Sequence, residues 1–406
     1  MSLLEELGKK EVWQDFRSYK EERNQLNKKE LQELDVLIEH QKYLKVTDTL
    51  SFGYPVRKTI SKIGTDKKRT VYCYDRLETW VLKLLAWLLY RYDDRIRDNC
   101  YSFRRQRTAK TAFDRIRQIP GLDDCHVLKA DIHNYFNSIN VDKLLVILQQ
   151  IIDDDPKLYE FMKKLLTQDR CYRNGELIEE KRGAMAGVPL ASFLANIYLL
   201  EMDNAFRQAG IPCFRYSDDI IIFCKDREQL NEVDQLLKDK LQEMDLQLNM
   251  DKYRISLPHQ PWEFLGFSYS DGKIDLSEVT IEKMKGKIRR KRHALYRWRK
   301  KNNADYNRTA RAMIRSFDNK FYDLSGNDGF TWTRFYFPVI TVSDGLHEID
   351  KTMIQYLRYL QTGRHNKSNY TVSYDSLKKL GYTSLVNEYY NWKRENSRLN
   401  RTNRED

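Results

Sequence analysis

Glycine and proline are scarce in this chain of 406 residues, at 16 and 8. Average usage is about 7% and 5%, so the scarcity excludes collagen-like and Pro/Gly-linker architectures and favours a helix-rich protein. Long apolar runs are also missing. The longest, Leu84 to Tyr90, has seven residues, whereas a membrane-spanning helix needs about 20. The N-terminus, MSLLEELGKKEVW, has early glutamates and no apolar core, so it does not read as a secretory signal. The six cysteines (73, 100, 125, 171, 213 and 224) form no CxxC pair and no zinc spacing. In a non-secreted chain they read as reduced, buried small hydrophobes. The expectation is a soluble, cytoplasmic protein with no membrane association.

Charge and aromatics are abundant. Lys plus Arg number 71 against 59 Asp plus Glu, a formal charge of +12. Such a balance suits a polyanionic partner, although charge alone does not separate nucleic acid from an anionic membrane. The 26 Tyr, 17 Phe and 7 Trp supply core and stacking surface. Residues 1–50 read as two amphipathic helices, with Val12, Phe16 and Tyr19 on one face and Leu31, Leu34 and Ile38 on another. Residues 54–75 read as a hairpin around a cationic turn, Gly64 to Lys68. A long helix is expected over 75–98, and helix again over 141–170. Residues 126–131 form a short apolar strand ending in Asp131. CFRYSDDIIIFC, 213–224, places two apolar runs around a tight polar turn, a second hairpin signal. From about 278 the chain is helical and basic.

The chemistry concentrates at three carboxylates. Adjacent aspartates in a turn are usually solvated turn formers. Here Ile220, Ile221, Ile222 and Phe223 follow Asp218 and Asp219 directly, and that run asks for a buried strand. Asp131 ends another apolar strand, 87 residues before Asp218. Carboxylates at neighbouring strand ends can hold two Mg2+ ions about 3.5–4 Å apart, which activate a 3′-hydroxyl and stabilise a leaving pyrophosphate. This is nucleotide-polymerase chemistry.

At these residues the chain resembles a reverse transcriptase of the bacterial retron and group II intron-like superfamily, from about residue 55 to 270. Asp131-Ile-His-Asn-Tyr-Phe136 resembles the first catalytic-Asp motif, and Tyr216-Ser-Asp-Asp219 the YxDD box. Gly183-x-x-x-Gly187-x-Pro189-x-x-Ser192-x-x-Ala195-Asn196 is similar to the palm loop and helix that face template and nucleotide. Leu248-Asn-Met-Asp-Lys252 resembles the lysine motif, Phe264-Leu265-Gly266-Phe267 the primer grip, and Tyr101-Ser-Phe-Arg104 the element preceding the palm. Each motif alone is weak; six in order make a specific match.

The resemblance implies an α+β right-hand polymerase, helix-rich overall: an N-terminal helical extension over 1–50, fingers over 51–125, and a palm with an antiparallel sheet over 126–277. A finger segment is expected at about 141–182, a thumb-like basic helical region over 278–345 and a C-terminal helical tail over 346–406. Asp131, Asp218 and Asp219 would be catalytic and hold two Mg2+ ions. Lys62 and Arg69 would neutralise the triphosphate, and Lys252 would protonate pyrophosphate. Phe136, five residues after Asp131, would be a steric gate against a ribose 2′-hydroxyl, with one ring of the Tyr135–Phe136 pair packed inward and the other facing the nucleotide. Tyr216, Asn196, Phe264, Leu265 and Gly266 would contact primer and template. So would Arg289, Arg290 and Arg292 on the helix Lys283 to Lys301, which carries eleven Lys/Arg and no acid. Its apolar face would be Met284, Ile288, Leu295 and Trp298.

One departure is visible. Met185 and Ala186 stand where such enzymes usually have Pro-Gln, and that Gln helps position the incoming nucleotide. The variant loop and the tail segments around Gln361 to Lys367 and Leu380 to Leu385 resemble abortive-infection and "unknown group" reverse transcriptases of phage defence. The implied function is RNA-directed DNA synthesis from dNTPs, yielding a DNA product on a structured noncoding RNA. The alternatives are template-independent or protein-primed DNA synthesis, and a non-polymerising RNA-binding scaffold or maturase.

Overall fold

The computed structural model describes residues 2–23, 25–61, 68–322, 331–364, 369 and 371–402, and it divides into two compact units, Met1–Gln260 and Pro261–Asp406. In the first unit the two expected N-terminal helices run over Lys10–Glu22 and Lys28–Glu39. The second starts on a capping box, the Asn27 side chain accepting from the Glu30 N–H while Glu30 accepts from that of Asn27. Trp13 and Phe16 bury one face, and Trp13 stacks on Tyr43 at 4.9 Å.

Strands β1 (Val56–Ser61) and β2 (Lys68–Cys73) form the expected hairpin; its turn, with Lys62, lies outside the described residues. The next helix starts on the Asp75–Glu78 capping box and stays α-helical over Arg76–Leu88 only. It continues as a 3-10 turn, Leu89–Arg95, instead of running to 98. The reason is tertiary: Arg104 donates to the carbonyls of Asp93 and Arg97, at 2.6 and 2.7 Å, and so takes up acceptors that a further helical turn would use. The expected helix over 141–170 is also split, into Val141–Ile151 and Pro156–Thr167. Asp155 caps the second piece and Pro156 opens it, a helix-start signal that the periodicity concealed.

The central sheet of this unit has the order β6-β7-β3-β8, from β3 (His126–Asp131), β6 (Cys213–Tyr216), β7 (Asp219–Cys224) and β8 (Arg254–Ser256). Every pairing in it is antiparallel. Ile220, Ile221 and Ile222 are fully buried, which is why β7 lacks the alternation of a half-exposed strand. A second sheet joins β2 and β1 to β4 (Arg170–Arg173) and β5 (Glu176–Glu179).

In the second unit β9 (Trp262–Phe264), β10 (Phe267–Ser270) and β11 (Lys273–Leu276) form their own antiparallel sheet. Residues 262–276, read from sequence as palm, therefore belong with the helical C-terminal unit. Phe267 stacks on Phe335 at 5.6 Å and meets Tyr336 at 5.0 Å, contacts that bind these strands to the chain beyond 330. The long helices are Glu278–Asn302, Tyr306–Phe321, Asp344–Thr362 and Leu385–Thr402. Among the described residues no helix is long and apolar enough to cross a membrane. Five of the six cysteines are buried, Cys73 is half-buried and all are free thiols.

Candidate active site

Strand register brings the three carboxylates together. Asp131 ends β3 directly opposite Asp219, the first residue of β7. Asp218 precedes it in the turn, and its carbonyl accepts from the Ile132 N–H at 3.3 Å. The turn is tight enough that Ser217 adopts φ +62°, a left-handed conformation uncommon outside glycine. The Asp131 carboxylate accepts from Asn249 Nδ2 at 2.9 Å and from the Lys252 ammonium. Lys129 Nζ lies 3.9 Å from Asp219 Oδ1, an atom that is buried and has no hydrogen-bond partner.

The electrostatics follow from this crowding. Burial, then the Asp131 charge, raises the Asp218 carboxyl above its ordinary range. Burial pushes Asp219 up to about 6; Lys129 opposes the shift, and Asp131 and Asp218 add to it. Burial alone would lower the Lys252 ammonium, but its hydrogen bond to Asp131 and the three carboxylate charges raise it instead. Among the described residues no group of three or more His, Cys, Asp and Glu side chains is arranged to hold a metal ion. The orphaned Asp219 oxygen and the mutually repelling carboxylates nonetheless suit a hard divalent cation, which takes oxygen ligands.

A buried network holds the turn from behind. Arg215, fully buried, grips Asp203 through two hydrogen bonds of 2.8 and 2.5 Å, and donates to the carbonyls of Asn196 (3.1 Å) and Ser217 (3.3 Å). Ser102 Oγ accepts from the Ser217 N–H at 2.9 Å and donates to Asn196 Oδ1 at 2.8 Å. Asn196 is thus fully buried and committed to Ser102, so it supports the turn and does not face a nucleic-acid strand. Ser102 lies in the motif Tyr101-Ser-Phe-Arg104 but had no role of its own from sequence, and neither had Asp203 or Arg215. A charged residue within an apolar strand (CFRY) was the available signal for Arg215, because a buried guanidinium needs an acid.

Arg69 and Phe136 meet across elements: the Arg69 guanidinium lies 5.5 Å from the centre of the Phe136 ring, and Arg69 is a cation acting on Asp218. Tyr135 is buried with its hydroxyl donating to the Ala195 carbonyl, whereas Phe136 is half-buried. The rings diverge on a one-turn helix, Tyr135–Ser138, so the divergence is not the strand alternation expected. Ala186 is buried, with its N–H donating to Asn137 Oδ1 at 3.1 Å and its carbonyl accepting from the Tyr72 N–H at 2.8 Å. The resemblance puts that position against the incoming nucleotide, and in the structure it makes these contacts through its backbone. Asn137, missed from sequence, also donates to the Thr70 carbonyl at 3.3 Å and so ties the loop to β2. Gly187, at φ +96°, lets the loop lie on β2; a Cβ there would sit 3.0 Å from that of Val71 and 3.2 Å from the Tyr72 carbonyl oxygen. Tyr216 is half-buried, its ring 6.3 Å from that of Phe103.

The remaining predicted residues lie in the second unit. Phe264 is fully buried; Leu265 and Gly266, at φ +53° and +83°, make the two-residue turn between β9 and β10. On the helix Glu278–Asn302, Met284 and Ile288 are buried as expected, but the seam continues through Arg292, and Trp298 is exposed. Arg292 lies 4.8 and 4.2 Å from the ring centres of Tyr356 and Tyr359. It packs on the helix Asp344–Thr362 and is not free for a phosphate backbone, contrary to expectation. Arg289 donates to the Tyr356 hydroxyl at 3.3 Å, while Arg290 is exposed.

The chain matches, over residues 60–269, the family model described as reverse transcriptase (RNA-dependent DNA polymerase). No curated protein matches it. Among solved structures, apo telomerase from Candida tropicalis is similar at 13% identity and TM-score 0.47, covering 81% of this chain and 69% of that one. A form of that telomerase truncated from its C-terminal domain matches at 15% and 0.44, covering 56% and 55%. Telomerase from Candida albicans with a fragment of telomeric RNA matches at 13% and 0.44, covering 84% and 64%. The chain thus spans 55%, 64% and 69% of the lengths of these telomerase chains.

Proposed function

The chain belongs to the reverse transcriptase family, and on that premise we propose that it synthesises DNA from dNTPs on an RNA template, with two Mg2+ ions held by Asp131, Asp218 and Asp219. The observation that carries the reading is the register of β3 against β7, which sets Asp131 opposite Asp219 and near Asp218 at one end of the two central strands. Bound there, the metal ions would supply activation of a 3′-hydroxyl and stabilisation of the leaving oxygen. The chain's own groups do the rest. Arg69 offers a cation to the triphosphate, and Phe136 presents its ring edge to the sugar and excludes a 2′-hydroxyl. Lys252 holds Asp131 in place and has a proton to give to pyrophosphate. Arg215 and Ser102 fix the turn so that Asp218 and Asp219 need no rearrangement when substrate arrives. Tyr216, Leu265, Gly266 and Arg290 are the proposed primer and template contacts that keep an available surface or backbone.

The sequence resemblance to defence-associated relatives extends the proposal to a structured noncoding RNA as template and to antiphage defence as the setting. Incorporation of dNTPs on a primed RNA tests the core claim. Asp218→Ala with Asp219→Ala should abolish it and leave the melting temperature near or above that of the wild type, because the pair is a repelling, part-desolvated cluster. Normal incorporation by the double variant would sink the assignment.

A further inference from the structure

Phe136 stands on a helix of four residues, Tyr135–Ser138, whose N-cap Asn134 makes no side-chain cap hydrogen bond. A single turn has too few internal hydrogen bonds to hold its own conformation. The direction of the Phe136 ring is therefore set by what the turn is tied to. The Tyr135 hydroxyl ties it to the Ala195 carbonyl. The Phe136 carbonyl accepts from the Ala184 N–H at 2.8 Å. Gly183 permits that approach: a Cβ there would sit 2.6 Å from the Phe136 carbonyl oxygen and 2.8 Å from the Asn137 carbonyl carbon.

Asn137 supplies a further tie, and it reaches a different element. β2 is an end strand of its sheet, and an end strand leaves N–H and C=O groups along its free edge. Two of these groups are met from the same side. The Tyr72 N–H donates to the Ala186 carbonyl at 2.8 Å, and the Thr70 carbonyl accepts from Asn137 Nδ2 at 3.3 Å. Asn137 Oδ1 accepts in turn from the Ala186 N–H at 3.1 Å. One short amide thus joins the Phe136 turn, the loop and β2 in a closed ring of three hydrogen bonds.

Arg69, whose guanidinium lies 5.5 Å from the Phe136 ring centre, is the neighbour of Thr70 on β2. The same amide therefore fixes the gap between ring and guanidinium. The position needs a donor and an acceptor on one short arm, which asparagine has; aspartate lacks the donor, and alanine lacks both. The catalytic carboxylates are held by other means, the β3–β7 register, the Arg215–Asp203 fork and Ser102, through bonds in which Asn137 takes no part. Loosening Asn137 should move the Phe136 ring against Arg69 and leave the turn of Asp218 and Asp219 in place.

We propose that Asn137 is a positioning residue for the choice of sugar: by locking the Phe136 turn to the free edge of β2, it fixes the space in which a ribose 2′-hydroxyl is refused. This role rests on the proposed polymerase reading and, within it, on Phe136 as the gate.

Single-nucleotide incorporation on a primed RNA, with a dNTP and with the matching rNTP, decides it for the full chain and for Phe136→Ala, Asn137→Ala and Asn137→Asp. The wild type should prefer the dNTP, and Phe136→Ala should lose much of that preference. Asn137→Ala, with the Phe136 ring intact, should lower the ratio of kcat/KM for dNTP to that for rNTP by roughly tenfold. The change should come from a rise for the rNTP. Asn137→Asp keeps the size and the bond from Ala186 but loses the donor to Thr70; it should act in the same direction and serves if the alanine variant fails to fold. A merely structural role would lower both substrates together and leave the ratio unchanged. That result overturns the proposal, as does loss of folding in both variants. If the wild type incorporates no dNTP, the polymerase reading fails and the proposal with it. A Phe136→Ala variant that discriminates like the wild type removes the gate, and so the role of Asn137. If Phe136→Ala loses the preference while the folded Asn137 variants keep it, the proposal alone fails.

Discussion

Both units bury arginine, and Arg215 in the first is held differently from Arg292 in the second. In Met1–Gln260 the Arg215 guanidinium meets the Asp203 carboxylate in a two-bond fork and spreads its other protons over two carbonyls. In Pro261–Asp406 the Arg292 guanidinium lies by the rings of Tyr356 and Tyr359 and meets His293 Nε2 at 3.0 Å; among the described residues it has no carboxylate partner, and its Nε is unsatisfied. The first arrangement is directional, since each bond fixes an angle, and it sits directly behind the turn that presents Asp218 and Asp219. The second is broad and tolerant, suited to holding two helices side by side. A buried cation can therefore be a positioning device or a packing element, and its partners decide which.

The largest effect should come from breaking the fork. Asp203→Ala leaves the Arg215 charge buried and unpaired, and should cost about 3–5 kcal/mol by denaturant titration. A loss below 1 kcal/mol would mean that the pair is relaxed and the contrast between the two arginines is false. Arg292→Met keeps the aliphatic stem and removes the interaction with the rings and the contact to His293, so it should cost less, about 1–2 kcal/mol. A cost equal to that of Asp203→Ala would erase the comparison.

Asp318 supplies a third case, a half-buried charge with burial as its only perturbation, which pushes its carboxyl up to about 6. The folded state then holds the proton more tightly than the unfolded chain does. Stability should fall as pH rises from about 4, the ordinary aspartate value, to about 6, and stay lowered above that. Asp318→Asn should add about 1 kcal/mol at pH 7, allowing for solvent screening of a half-exposed group, and almost nothing below pH 4. Melting curves at pH 4 and pH 7 check both the sign and the window. The smallest stability effect should be at exposed Arg290. Arg290→Gln should leave the melting temperature unchanged and reduce the slope of log K against log salt for RNA binding by roughly 0.7–0.9. An unchanged slope would show that this face of the helix meets solvent only.

Much of the candidate site was legible because strands have a rigid period. A run such as Ile220-Ile-Ile-Phe223 asks for burial, and a carboxylate at its end then sits where the strand leaves the sheet. The same reasoning failed on the helix Glu278–Asn302. Helical periodicity placed Met284 and Ile288 on the buried seam, but it assigned Arg292 to the outer surface because arginine is usually exposed. What buries Arg292 is Tyr356 and Tyr359, more than 60 positions later, and no local pattern reports a neighbour at that distance. Ser102 and Asn137 were missed for a related reason: each is an ordinary polar residue whose importance lies in one hydrogen bond to a distant backbone group.

The sequence by itself determined which residue types lie along each element and in what order, because hydrophobic period, capping residues and turn formers act over a few positions. It thereby specified the hairpin at 213–224, the strand ending in Asp131 and the ordered motifs between them. The tertiary structure alone decided which charges remain available. It closed Arg215 on Asp203, engaged Asp131 with Lys252, covered Arg292 with two tyrosines, and ended the helix at Leu88 in favour of a 3-10 turn under Arg104. The physical reason is that a charge is stabilised or stranded by whatever lies within a few ångströms, and those neighbours come from parts of the chain that local pattern does not connect.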